Sequence, residues 1–117
     1  MKATFFLNIK TVSEMNQRCH WAARYKRLRQ HKDAAYIGTL EALRCKRINC
    51  DKITITLTRL GLRKLDSDNM YSSQKGTRDG IAKALGIDDG DERLTWIYRQ
   101  RKVKRDQCGV EVEITDE

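Results

Sequence analysis

The sequence has no proline, few aromatic residues and no long hydrophobic run. No apolar stretch approaches the roughly 20 residues that a membrane-spanning helix requires, and the apolar start of the chain, residues 1–9, is too short for a signal peptide. We therefore expect a cytoplasmic protein without a membrane anchor. No tract resembles a linker or a repeat, so residues 1–117 are predicted to form one domain rather than two.

The four cysteines follow no recognisable pattern. They lack the close-paired spacing of a zinc site and the density of a secreted disulfide scaffold, so we interpret them as reduced thiols. A zinc site made by two cysteines and two histidines is a less favoured alternative. The cysteines are Cys19, Cys45, Cys50 and Cys108, and the alternative site would use Cys45, Cys50, His20 and His31.

Positive charge is concentrated in the first part of the chain. Residues 1–47 carry 11 Lys and Arg against 3 Asp and Glu, whereas residues 48–117 carry 13 of each, so the first part accounts for the whole net charge of +8. This excess indicates a polyanionic partner, because each phosphate neutralised by Lys or Arg releases condensed counterions. Nucleic acid is the expected partner. An acidic membrane surface is the rival, but the sequence shows no lipidation signal or apolar helix face.

Hydrophobic periodicity predicts a small α+β domain with the order β-α-β-α-β-β and a mixed sheet packed by two helices. The predicted strands are residues 3–9, 52–60, 94–103 and 109–115, and the predicted helices are about 25–44 and 69–85. Asp68 is the expected N-cap of the second helix, and Gly86 is its expected C-terminal stop. The stripe expected to be buried on the first helix is Leu28, Tyr36, Leu40 and Leu43.

Acidic residues cluster at both ends of the predicted second helix. Asp66 and Asp68 precede it, and Asp88 and Asp89 follow it. Residues two apart in an extended segment project to the same side, so Asp66 and Asp68 can share a cation. Grouped carboxylates in a basic chain are typical of a metal site directed at phosphate, because like charges otherwise repel. A straight helix would separate the two clusters by roughly 25 Å, so a shared site requires a later helix start and a loop that folds back.

Each of these acidic residues also has a structural interpretation. Asp68 can cap the helix, and Asp66 can complement its dipole. Lys75 and Asp79 fit an ordinary surface pair, and residues 88–91 fit a solvated turn. Spacing alone leaves the structural and the functional interpretation equally open.

Two segments carry an ordered pattern that extends beyond the acidic residues. They are Leu65–Met70, which reads LDSDNM, and residues 75–91, which read KGTRDGIAKALGIDDGD. Together they resemble the core motif of the RusA family of Holliday-junction resolvases, and the order of elements agrees in outline. The resemblance implies a RusA-like fold and a homodimeric, magnesium-dependent endonuclease of bacterial or phage-infected cells. Such enzymes make paired nicks across four-way DNA junctions in recombination and repair.

The resemblance also implies roles for individual residues. Asp66, Asp68 and Asp89 would bind Mg²⁺, or Mn²⁺ as a substitute, with Asp88 as the alternative to Asp89. Lys75 would direct its charge at the scissile phosphate. The implied catalytic residues are Asp66, Asp68, Lys75 and Asp89. The residues expected to contact DNA are Asn16, Arg18, Arg24, Lys26, Arg27, Arg29, Arg63 and Lys64. The alternatives are a nuclease for flaps or forks and a non-catalytic nucleic-acid-binding module.

Overall fold

The computed structural model describes residues 1–11, 21–44, 46–49 and 51–116. The strands are β1 (Lys2–Leu7), β2 (Ile53–Gly61), β3 (Leu94–Lys102) and β4 (Gly109–Thr115). The helices are α1 (Trp21–Ala42), α2 (Ser67–Ser73) and α3 (Lys75–Leu85), and a 3₁₀ turn covers Arg105–Gln107. The α+β class and the predicted order of elements are confirmed, except that the second helix is divided into α2 and α3.

The four strands form one mixed sheet in the order β1-β4-β2-β3. β4 is antiparallel to both of its neighbours, and β2 is parallel to β3. Parallel strands need a crossover connection, which α2 and α3 provide. The chain therefore leaves the carboxyl end of β2, passes along α2 and α3, and returns to the amino end of β3.

The core lies on one face of this sheet. Ile53, Ile55 and Leu57 of β2 are fully buried, as are the three alternating apolar residues of β4. The period-two pattern of both strands is therefore confirmed. α1 packs against β1 and closely against α3, and Ala35 of α1 and Ile81 of α3 share one core cluster with the strands, so both helices cover the same face. Among the described residues, no helix is long and apolar enough to cross a membrane.

The buried stripe predicted for α1 is wrong by about one position. Leu40 is 45% exposed, whereas His31, Ala35 and Thr39 are buried. The reason is the close approach of α3, where a Cβ added at Gly80 would lie 2.3 Å from the Lys32 carbonyl oxygen. Helix backbones this close admit only small side chains at the contact. The larger residues of the predicted stripe, Leu28, Tyr36, Leu40 and Leu43, are therefore partly or largely exposed.

The alternative zinc site falls mostly outside the described residues. Cys19, His20, Cys45 and Cys50 belong to the parts of the chain that the structure leaves out. His31 is buried in α1, and its Nε2 lies 2.9 Å from the carbonyl oxygen of Lys10. Cys108 is a free thiol.

Candidate functional site

Side chains on the core-facing side of β3 contact the segments that carry the acidic residues. Alternate residues of this strand point to the same face, and each contacts a different part of the crossover. The Trp96 indole N–H donates to the Asp89 carbonyl oxygen at 2.9 Å, and the Gln100 side chain pairs with the backbone of Leu65. Trp96 and Gln100 are four residues apart, about 13 Å along a strand. The backbone at Asp89 and the backbone at Leu65 are thus anchored about 13 Å apart along β3, less than the roughly 25 Å of a straight helix.

Asp66, and not Asp68, is the N-cap of the helix that follows β2. Asp66 is extended (φ −68°, ψ 171°), and its Oδ1 accepts from the backbone N–H of Asn69 at 2.9 Å. The Asn69 side-chain amide donates to the same oxygen at 2.9 Å. The helix begins at Ser67, so the predicted start after Asp68 is wrong. The expectation that Asp66 and Asp68 project together from an extended segment is wrong for the same reason.

The predicted single helix breaks at Gln74. This residue has φ −102° and ψ 5° and stands between α2 and α3. Its side chain is fully buried, and the amide has no partner among the described residues. A buried amide without a partner is costly, so local stability does not explain the break. Its consequence is that α3 has only 11 residues and spans about 16 Å.

Arg78 links the two acidic segments. Its Nη1 donates to the Tyr71 hydroxyl, and its Nη2 lies 3.5 Å from Asp89 Oδ2. The guanidinium carbon lies 4.8 Å from the centre of the Tyr71 ring and 5.1 Å from that of Trp96, in the range of cation–π contacts. Tyr71 follows Asp68 by three residues, so both lie on one face of α2. The helix with Asp68 and the loop with Asp89 therefore meet around one guanidinium.

Tyr98 completes this cluster from β3. Its ring centre lies 5.5 Å from that of Tyr71, with the planes tilted by 57°. Its hydroxyl is buried and has no partner among the described residues. Burial raises the pKa of Tyr98 to about 12, and the nearby Arg78 opposes this shift. The phenol is therefore neutral at physiological pH and available as a proton donor.

Lys75 is the first residue of α3 and is exposed. It precedes Arg78 by three residues and Asp79 by four, so the three side chains share one helix face. A cation at a helix N-terminus is not favoured by the helix dipole, and the first turn of α3 contains no acidic residue to offset it. Helix stability therefore does not account for Lys75, and its position beside Arg78 suits an anionic ligand.

The carboxylates of the loop after α3 differ in their contacts. Asp89 contacts Arg78, whereas Asp88 is exposed and accepts from the Gly90 N–H at 3.4 Å. Asp91 forms a two-point contact with Arg93 at 3.0 Å. Hydrogen bonds from Arg93 lower the pKa of Asp91 to about 2. Of these residues, only Asp89 is directed at the cluster.

The fit of this site to Mg²⁺ is incomplete. Carboxylate oxygens are the donors that Mg²⁺ prefers, and Asp66, Asp68 and Asp89 supply them. Within the described parts of the chain, however, no three His, Cys, Asp or Glu side chains form a group able to hold a metal ion. Asp89 is held by Arg78 instead. The donor chemistry thus fits a divalent cation, but a closed three-carboxylate site is not formed in this conformation.

Three of the eight residues predicted to contact DNA line concave surfaces of the described chain. Lys26 and Arg27 line a groove of about 620 Å³ between α1 and the chain after β1. Arg63 lines a cavity of about 1070 Å³ at the carboxyl end of β2. Arg24, Arg29 and Lys64 are exposed but line neither surface. Asn16 and Arg18 lie outside the described residues.

Several residues of the site were not predicted from the sequence. Arg78 stands three residues after Lys75 in the motif, and this helical spacing is the signal that could have indicated it. Trp96, Tyr98 and Gln100 alternate in β3, and their period of two indicated a shared face. The sequence contained no sign that this face would contact the acidic segments.

Comparison with known proteins returned no match: no protein-family model, no curated protein and no solved structure matches the chain.

Proposed function

We propose that this chain is a magnesium-dependent endodeoxyribonuclease that acts on branched DNA, with the four-way junction as its preferred substrate. The observation that carries the proposal is the position of Arg78. Its guanidinium joins Asp89 to Tyr71, one helical turn after Asp68. The contact between α2 and the loop after α3 at this guanidinium supports a shared site for their carboxylates. The resemblance to RusA-family resolvases supports the same assignment.

In this proposal the residues of the cluster have distinct roles. Asp66, Asp68 and Asp89 would hold the cation, which would supply positive charge and an activated water when bound. Lys75 places its ammonium group at the scissile phosphate as a point charge. Because Arg78 holds Asp89 in the described conformation, metal binding requires this ion pair to open. The released guanidinium can then pair with a phosphate oxygen, a ligand that suits its geometry.

The basic groove beside α1 is the proposed path of a DNA strand. Lys10, Lys26 and Arg27 line it, and it belongs to the part of the chain that carries the whole net charge. Contacts to phosphates fix the position of DNA without reading its sequence. A groove of this kind suits recognition of a branched shape. In this proposal the positive charge of residues 1–47 attracts the DNA and offsets the repulsion between its phosphates and the carboxylates of the active site.

We propose that the active form is a homodimer. A junction is resolved by paired nicks on symmetry-related strands, and a two-fold axis places two identical sites to make them. This element of the proposal rests on the resemblance.

The proposal is tested with purified protein and end-labelled four-way, Y-shaped and linear DNA, each with and without Mg²⁺. We expect symmetric nicks in the four-way junction only when Mg²⁺ is present. Asp68→Asn should abolish nicking and keep or tighten junction binding, because it removes a carboxylate that faces phosphate. Asp33→Asn, an exposed carboxylate on α1, is the matched control. Nicking by Asp68→Asn at the wild-type rate would contradict the assignment.

The Arg78–Asp89 ion pair favours a second candidate, a nucleic-acid-binding module without catalysis. In that case Arg78 neutralises Asp89 permanently, and the other carboxylates act only as caps. This candidate predicts steeply salt-dependent binding and no cleavage with Mg²⁺ or Mn²⁺. A nuclease for flaps or forks would instead nick the Y-shaped DNA and leave the four-way junction intact.

A further inference from the structure

A second site for an anion lies at the carboxyl end of β2, in the cavity of about 1070 Å³. Four of its lining residues are basic: Lys10, Arg59, Arg63 and Arg105. The cavity also adjoins Leu65, which precedes Asp66. The cavity is basic and lies next to the acidic site. It therefore suits an anionic ligand group other than the one expected at the cluster around Arg78.

The central residue of this cavity is Arg59, which is only 8% exposed. It continues the inward-facing row of β2, where Ile53, Ile55 and Leu57 precede it. Burying a charge is costly unless it is paired, and burial lowers the pKa of Arg59. A hydrophobic residue would be the stable choice here. The guanidinium of Arg59 lines the cavity and is therefore a candidate contact for an anionic ligand.

The hydrogen bonds of Arg59 position its guanidinium without neutralising it. Nε donates to Thr11 Oγ1 at 2.9 Å, and Nη1 donates to the Arg63 carbonyl oxygen at 2.6 Å. Neither acceptor is charged. A guanidinium has five N–H donors, and Nη2 makes no hydrogen bond to the described residues. Asp106 lines the same cavity but forms no ion pair with Arg59 in the described part of the chain.

The absence of a side chain at Gly61 leaves room for this guanidinium. A Cβ at Gly61 would lie 2.5 Å from Arg59 Nη1 and 2.9 Å from Nη2. The guanidinium therefore packs directly against the backbone two residues further along the strand. Packing of this kind fixes its orientation before any ligand binds, and a preorganised donor loses less entropy on binding.

We propose that this cavity binds a phosphate of the DNA backbone, with Arg59 as the central donor and Lys10 and Arg105 at the rim. The inference rests on the proposed function for the identity of the polyanion. A strand of nucleic acid is favoured over a free phosphate because the cavity shares Asn8, Ile9 and Lys10 with the groove that Lys26 and Arg27 line. The two surfaces form one basic track. Since the cavity reaches Leu65, the residue before Asp66, a phosphate bound in it would lie near the proposed cleavage site.

The test measures DNA binding in EDTA, so that it does not depend on catalysis. Fluorescence anisotropy with a labelled four-way junction gives the dissociation constant at several salt concentrations. Arg59→Gln should reduce the slope of log K against log salt by about 0.9, the contribution of one phosphate contact on duplex DNA. Lys10→Gln and Arg105→Gln should each reduce the slope, and Arg59→Lys should restore most of it. Lys52→Gln is the control, since Lys52 is exposed at the other end of β2.

The outcomes separate this inference from the proposed function. If the wild-type protein binds no DNA, the proposed function fails. If it binds DNA and the cavity variants keep the wild-type slope, only the inference fails, and Arg59 is structural. Circular dichroism shows whether Arg59→Gln folds. If it does not, Arg105→Gln decides, because Arg105 lines only the cavity whereas Lys10 also lines the groove. Competition by inorganic phosphate or a mononucleotide at micromolar concentration would show a site for a free ligand and overturn the assignment to a DNA strand.

Discussion

The Asp89 carboxylate lies 3.5 Å from the guanidinium of Arg78, so it is already paired with a cationic side chain. The two side chains are only 33% and 11% exposed, so solvent screens their attraction less than at an open surface. Arg78 also contacts the rings of Tyr71 and Trp96, which restrict its movement. Arg78 therefore competes directly with any cation that would use Asp89.

Removing the competing cation should strengthen metal binding. We predict that Arg78→Gln lowers the Kd for Mn²⁺ or Mg²⁺ about fivefold, equivalent to about 1 kcal/mol for a pair that is partly shielded. Isothermal titration calorimetry measures the change. Arg93→Gln is the matched control, because Arg93 pairs with Asp91 instead, and it should leave metal affinity unchanged. Weaker binding by Arg78→Gln would show that Arg78 holds Asp89 in its binding position.

Gln100 holds the backbone of Leu65, the residue before Asp66. Its side chain accepts from the Leu65 N–H at 2.8 Å and donates to the Leu65 carbonyl at 2.7 Å. We predict that Gln100→Ala lowers the free energy of unfolding by about 2 kcal/mol, because two partly buried hydrogen bonds are lost. It should also slow nicking at saturating DNA, because Asp66 is no longer fixed. Urea unfolding and single-turnover nicking are the two measurements.

The control for this change is Gln107→Ala, since Gln107 is exposed in the 3₁₀ turn. It should alter neither quantity. If Gln100→Ala destabilises the protein but nicks DNA at the wild-type maximal rate, Gln100 contributes only to stability.

The core of the sheet could be predicted from the sequence because strand periodicity acts locally. In β2, Ile53, Ile55 and Leu57 alternate with threonines, and only one register buries them all. The C-terminal end of α3 could also be predicted from local sequence, because Gly86 supplies the backbone conformation that ends the helix. Such features depend on neighbouring residues alone. They do not depend on what packs against them.

The features that could not be predicted depend on distant contacts. The buried face of α1 is set by glycines on α3, which admit small residues and displace Leu40 to the surface. The attachment of the segment before α2 to β3 follows from the pairing of Gln100 with Leu65, 35 residues apart. The role of Arg78 depends on the loop after α3, which folds back towards it. No local pattern contains this information.

Tyr98 predicts a dependence of stability on alkaline pH. In the unfolded chain its phenol titrates near 10, and in the folded protein burial raises its pKa to about 12. Between these values the unfolded chain binds fewer protons, so the free energy of unfolding falls as pH rises. We predict that Tyr98→Phe flattens this decline. At neutral pH it should cost little stability, because the lost hydroxyl has no partner among the described residues. Urea unfolding from pH 9 to 12 measures both effects, and Tyr25→Phe, an exposed tyrosine, is the control.

The loop that carries Asp89 begins at Gly86, which has φ 72° and ψ 24°. The Ile87 N–H donates to the Ala82 carbonyl and the Gly86 N–H to that of Lys83, both at 3.1 Å, which is the hydrogen bonding of a Schellman motif. Gly86→Ala meets no atom within 4 Å, so its cost is conformational alone. We predict a loss of about 1 kcal/mol in the free energy of unfolding.

Gly90→Ala provides the matched comparison within the same loop. Gly90 also has no atom within 4 Å of an added Cβ, but its φ is not positive. We therefore predict a change within about 0.5 kcal/mol of wild type, because alanine adopts this conformation and restricts the unfolded chain. Urea unfolding of both variants gives the difference. An equal loss in the two would mean that the left-handed conformation of Gly86 is not what ends α3. A larger loss for Gly86→Ala, together with slower nicking, would show that this turn also directs Asp89 towards Arg78.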